Sequence, residues 1–211
     1  MKQLTAFLRD INKLRTQRGF TMIELLIVIS ILGILAVAVL SAINPIEQIN
    51  RGRDTGSQSD AEQLINAVDR YYAFNGTYPW QGTEVGAAAL ASDIAFQVVD
   101  TNTGNPNNLD SGGNPILLMG QLLLKSELKD SYINRVNSAT NQLWIYNQGI
   151  SGSSTYVCFT PLSQSFKEKA KARCVDNLGS GFPTDVDQPT RDLMCAGAED
   201  PATDTTYSCL P

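Results

Sequence analysis

Apolar residues first recur at helical spacing in residues 1–19, where Leu4, Phe7, Leu8, Ile11 and Leu14 share one face. They then crowd into the uncharged stretch Leu25 to Ile43. A helix from Phe20 to Ile43 has 24 residues, roughly 36 Å at ~1.5 Å per residue, enough to cross a ~30 Å hydrocarbon core. It is apolar on every face, so it belongs in lipid or in a helix bundle. Asn44-Pro45 should kink it or interrupt a hydrogen bond, because proline lacks the N–H. Gly52 and Gly56 weaken residues Arg51 to Ser59, which read as a flexible or partly melted stretch. An amphipathic helix follows, with Ala61, Leu64, Ile65, Val68, Tyr71 and Tyr72 on one face and Glu62, Gln63, Asn66, Asp69 and Arg70 on the other. Asn75-Gly76 should end it, and Tyr78-Pro79 opposes continuation.

Beyond it the pattern is mixed. Ile94 to Val99 is a short apolar run, a strand or a helix end, and Thr101 to Pro115 reads as an exposed loop rich in Asn, Gly, Asp and Pro. Ile116 to Val136 reads as a second helix, with Leu117, Leu118, Leu122, Leu124, Leu128 and Tyr132 available for packing; Lys125, Glu127, Lys129 and Asp130 form its solvated face. The period then changes. Leu143 to Tyr146 and Thr155 to Phe159 are aromatic and β-branched and predict a hairpin. Pro161 to Cys174 predicts a short helix, and Tyr207 to Leu210 a last strand at the sheet edge. The fold class is therefore α+β: a small antiparallel sheet laid on a long helix, in a head large enough to bury its own core. Trp80 and Trp144 fit core or sheet positions.

Charge adds a direction. Lys2, Arg9, Lys13, Arg15 and Arg18 precede the apolar stretch against Asp10 alone, which predicts a cytoplasmic leader and an exported head. The chain has 16 basic and 21 acidic residues, net −5; without residues 1–19 it has 11 and 20, net −9. Such a head is soluble and offers no basic stripe for nucleic acid. Cys158, Cys174, Cys195 and Cys209 all lie in the exported part, where an even number predicts two disulfides. Three connectivities are open; two strand cysteines as neighbours favour Cys158–Cys209 with Cys174–Cys195. A four-thiolate zinc site is disfavoured because no two cysteines are close in sequence.

Catalytic chemistry finds little to use. With no histidine in the chain there is no His base, His ligand or Ser-His pair. Gly52-Arg53-Asp54-Thr55-Gly56 lacks the lysine and preceding strand of a phosphate loop. Asp185, Asp187 and Asp192 cluster in a loop and are weak calcium candidates; no twelve-residue calcium signature surrounds them. No enzyme, cofactor or metal is expected.

The junction Arg18-Gly19-Phe20-Thr21-Met22-Ile23-Glu24 places one carboxylate at the edge of the membrane-length run. A charge inside such a segment costs roughly 2.5–3.5 kcal/mol, which marks it as functional. The arrangement resembles the class III signal of type IV prepilins and type II secretion pseudopilins, specifically over residues 18–43 and more weakly to about Trp80. The resemblance implies that prepilin peptidase cuts after Gly19 and methylates Phe20. It further implies that Glu24 pairs with the amino terminus of a neighbouring subunit during assembly, driven by an ATPase and a membrane platform protein. The leader, 19 residues, is longer than many members carry.

The implied layout is pilin-like: leader 1–19, transmembrane and filament-core helix 20–43, amphipathic spine helix 44–76, and head 77–211 with disulfide-closed C-terminal loops. The subunit would span the cytoplasmic membrane once, head outside, then enter an extracellular or periplasmic filament of itself or mixed subunits. A sizeable, cysteine-bearing head without a calcium loop favours a type IV pilus subunit over a secretion pseudopilin, some of which bind calcium. Outside this family, the same pattern would suit a membrane-anchored binding domain that never polymerises, or a secreted domain cut near Ala36-Val37-Ala38.

Overall fold

Pro45 divides the chain. The computed structural model describes residues 19–82, 90–138, 141–174, 182, 185–196 and 206–211, and it separates into units Met1–Pro45 and Ile46–Pro211. The leader expected over residues 1–19, with its helical spacing from Leu4 to Leu14, lies outside the described residues except for Gly19. In the first unit, helix α1 (Met22–Ala42) ends where Ile43 turns extended (φ −99°, ψ 127°). Helix α2 (Pro45–Asn75) then starts on the proline, whose fixed φ and missing N–H suit a first helical position. The interruption is a full break rather than a kink.

Helix α2 is unbroken over 31 residues, which corrects the expectation that Arg51 to Ser59 melts. Tertiary hydrogen bonds hold that stretch. Asp54, 1% exposed, accepts from the backbone N–H of Leu162 (2.9 Å) and Ser163 (2.8 Å) and from the Ser163 hydroxyl. Glu47 accepts from the Gln164 N–H, and the Ser57 hydroxyl donates to Asn141. The second half of α2 docks by apolar contact: Ala61, Leu64, Ala67, Val68 and Tyr71 are buried. Tyr72 stays half-exposed, its ring 4.7 Å from that of Tyr78. Gly76, at φ +71°, closes the helix by donating its N–H to the Tyr72 carbonyl.

Strands β1 (Ile94–Val98), β2 (Leu143–Asn147), β3 (Tyr156–Phe159) and β4 (Ser208–Leu210) form one antiparallel sheet in that order. Its side chains alternate between two apolar clusters. Leu143, Ile145, Val157 and Phe159 join the buried face of α2 and Trp80, while Tyr146, Tyr156, Cys158 and Cys209 pack with Cys174, Phe182, Val186 and Met194. Both faces are covered, so β3 is buried at all four positions and reads as a continuous apolar run. Trp144 meets Tyr207 edge-on at 4.8 Å.

The expected helix over Ile116 to Val136 is two: α3 (Leu118–Leu124) and α4 (Asp130–Val136). Ser126 sits between them at φ 58°, and the Leu122 carbonyl accepts from both Glu127 and Leu128 as the chain reverses. The reversal leaves Leu124 72% exposed rather than packed, and Glu127 pairs with Arg70 at 2.8 Å instead of facing water alone. The polar stretch Thr101 to Pro115 is likewise not simply exposed: Thr103, Asn105 and Asn108 are buried. Asn108 serves as an internal tie, donating to the carbonyls of Trp80 and Ala91 and accepting from the Ala91 N–H. Helix α5 (Gln164–Cys174) lies where a short helix was expected.

Candidate assembly site

Every residue from Gly19 to Ile46 is exposed. In α1 that amounts to 21 residues, long and apolar enough to cross a membrane, roughly 32 Å of helix at ~1.5 Å per residue. Inside apolar surroundings each polar group needs a partner within the helix. Ser30 and Ser41 comply, donating their hydroxyls to the carbonyls of Leu26 and Ala38. The triplet Ala36-Val37-Ala38 lies within this helix.

The N-terminus of α1 is built around Thr21 and Glu24. Thr21 is the N-cap in extended backbone (φ −78°, ψ 148°). Its hydroxyl accepts from the Glu24 N–H (3.3 Å) and donates to Glu24 Oε2 (2.7 Å), and the Thr21 N–H donates to the same carboxylate (2.9 Å). This reciprocal cap satisfies donors a helix start would otherwise leave open, and the positive end of the helix dipole favours the negative charge there. The Thr-x-x-Glu spacing was legible in the sequence, and Thr21 was overlooked there. Gly19 and Phe20 lie just before the cap; Phe20 is 84% exposed, and among the described residues nothing beyond its chain neighbours stands within 4 Å of where a Gly19 side chain would begin. The carboxylate is therefore held one turn from Phe20, with lone pairs left for a cation.

The remaining sequence candidates lie in the head. Cys158 pairs with Cys209 and Cys174 with Cys195; the first joins register partners of β3 and β4. The structure does not assemble the three aspartates into a loop site. Asp185 accepts from the Ser154 N–H and the Tyr156 hydroxyl. Asp187 caps helix α6 (Gln188–Met194) through the Thr190 N–H, and Asp192 accepts from Gln188 one turn back on that helix. Among the described residues no three His, Cys, Asp or Glu side chains group as metal ligands. Sequence reasoning also missed the buried carboxylates Asp54 and Asp60, whose partners lie 75 or more positions away.

Comparison with known proteins bears on the N-terminal segment first. Residues 14–40 match the model of the prokaryotic N-terminal methylation motif. The chain is 40% identical over 83 residues to a type IV major pilin protein, PilE1, of Neisseria gonorrhoeae, covering 39% of this chain and 49% of that pilin. It thus spans about half the length of that relative. A longer alignment, 28% identical over 153 residues, relates 72% of this chain to 80% of the type IV major pilin protein PilE of the same organism. The type II secretion system core protein G of Pseudomonas aeruginosa is 35% identical over 92 residues, 44% of this chain and 56% of that protein. No solved structure matches significantly. With a capped apolar helix at the N-terminus and a disulfide-bearing α+β head, these similarities support the type IV prepilin and pseudopilin family for this chain.

Proposed function

We propose that this chain is a structural subunit of a type IV pilus-like filament, anchored in the cytoplasmic membrane by α1 before assembly. The observation that carries the reading is the fully exposed apolar helix with a single carboxylate fixed at its start. Cleavage after Gly19 would create an α-amino group at Phe20, four residues from Glu24. In a packed bundle of such helices each Glu24 would repel its copies unless it met a cation. The new amino terminus of a neighbouring copy supplies one. Proteolysis then acts as a switch, because the uncut chain lacks that charge. Helix packing replaces lipid with protein, so extraction has to be driven; an assembly ATPase and a platform protein would do this, after a prepilin peptidase has cut and methylated Phe20. The similarity to pilins, which are structural proteins, supports a structural rather than catalytic role.

A pseudopilus subunit is the second reading, favoured by the similarity to a secretion core protein. One experiment addresses both: intact mass and N-terminal residue of protein from membranes and from sheared surface material. A chain starting at Phe20 with one added methyl, present in sheared fibres, is the expected result. The same processed chain confined to the cell envelope would favour the pseudopilus. A chain retaining Met1, or cut near Ala38, would defeat the filament reading.

A further inference from the structure

On α2, Arg53, Ser57 and Asp60 stand at i, i+4 and i+7, so they share one face. With Gly56 they line a cleft of about 260 Å³ whose other side is Arg135 of α4 and Asn141. The cleft's own carboxylate is already satisfied. Asp60, 5% exposed, accepts from Arg135 Nε (2.9 and 3.0 Å), from Arg135 Nη2 (2.7 Å) and from Asn141 Nδ2 (2.7 Å). Asn141 is held in turn by the Ser57 hydroxyl at 2.6 Å. The Arg135 guanidinium also lies 5.3 Å from the centre of the Tyr132 ring, and the Tyr132 hydroxyl donates to the Asp60 carbonyl. Arg135 is thus fixed on one edge while its side chain stays 48% exposed.

Arg53 is different: its side chain has no hydrogen bond or ion pair among the described residues. Two guanidinium groups against one neutralised carboxylate leave the cleft positive, on a chain with 21 acidic and 16 basic residues. Gly56 keeps the wall clear, since among the described residues nothing outside its own helix turn stands within 4 Å of where its side chain would start. Arginine forks match planar or tetrahedral oxyanions, and an arginine already held by its own carboxylate loses little freedom on binding one.

We propose that this cleft is an oxyanion-binding site, taking a carboxylate, phosphate or sulfate group between Arg53 and the outer edge of Arg135. The anion arrives either on a free solute or as an acidic side chain of a second copy of this chain. The site does not depend on the chain being a filament subunit. Its test uses the full-length chain in non-ionic detergent, titrated at low salt with inorganic phosphate and with acetate, reading the arginine side-chain N–H resonances. Saturable shifts at Arg53 and Arg135, weakened at least about tenfold in Arg53→Gln, would support the site with a free anion as ligand. Arg53→Gln should keep the wild-type melting temperature, because the Arg53 side chain bonds nothing among the described residues. The second source is read in cells, with a photo-cross-linking residue at position 53: covalent dimers joined to an acidic segment of another copy, together with dimer loss in Arg53→Glu and retention in Arg53→Lys, would support it. No saturable shift and no such cross-link would overturn the proposal, as would equal anion binding by Arg53→Gln.

Discussion

Replacing Asp54 tests whether polar clamps, rather than helix propensity, keep the first half of α2 helical. Asp54→Ala removes the acceptor for three donors. Leu162 is 40% exposed, whereas Ser163 is fully buried: its amide is left unsatisfied and its hydroxyl keeps only a long contact to the Ser165 hydroxyl at 3.5 Å. Each buried orphan costs about 1–3 kcal/mol. Removing the buried carboxylate returns part of this, because that charge no longer has to be desolvated. A net loss of about 3 kcal/mol follows, which in a chain of this size lowers the melting temperature by about 6–12 °C. Asp54→Asn keeps one acceptor oxygen but turns an NH₂ toward a donor, so roughly half the loss is expected. The assay is thermal unfolding of the full-length chain in non-ionic detergent, followed by near-ultraviolet circular dichroism, with amide exchange over residues 51–59 measured in parallel. A melting temperature within about 1 °C of wild type in Asp54→Ala would refute the clamp. So would unchanged exchange over 51–59, since Gly52 and Gly56 should then fray.

Three further outcomes are expected. Glu24→Gln keeps a hydrogen-bonding cap but loses the charge, so processing should continue while sheared filaments fall to background; normal filaments would remove Glu24 from assembly. The Cys158–Cys209 bridge closes 51 positions and Cys174–Cys195 closes 21, so double serine replacement should cost about 4 and about 3 kcal/mol respectively by loop entropy, read from denaturant midpoints; the reverse order would point to native packing instead. At alkaline pH, burial raises the Tyr132 and Tyr156 phenols above their ordinary value of 10.0, with Asp60 and Asp185 adding to it. The folded state therefore keeps them neutral. Their contribution is complete below the unfolded pKa and declines as pH rises through and beyond about 10. Melting temperatures between about pH 8 and pH 11 should fall more gently in Tyr132→Phe than in wild type.

Much of the N-terminal segment was written in local pattern. A charge-free run of membrane length, a proline after it and one carboxylate at its start require no tertiary partner, so α1, its end and Glu24 were all legible. The hairpin, the β4 strand and the apolar face of α2 were legible for the same reason: side-chain period records which face is buried. The Thr21 cap was equally local and was overlooked.

What the sequence could not decide depends on contacts between distant residues. Nothing near Gly52 and Gly56 foretells that Leu162 and Ser163, 108 and 109 positions beyond Asp54, will hold that stretch helical. The break at Ser126 has no glycine or proline to announce it; the chain turns there because α3 and α4 each have a buried face to place in the core. The aspartates at 185, 187 and 192 look alike in sequence, and only the fold gives them different donors. Hydrophobic period is a property of neighbouring residues and survives in the sequence, whereas the satisfaction of a buried polar group is a property of the folded pair.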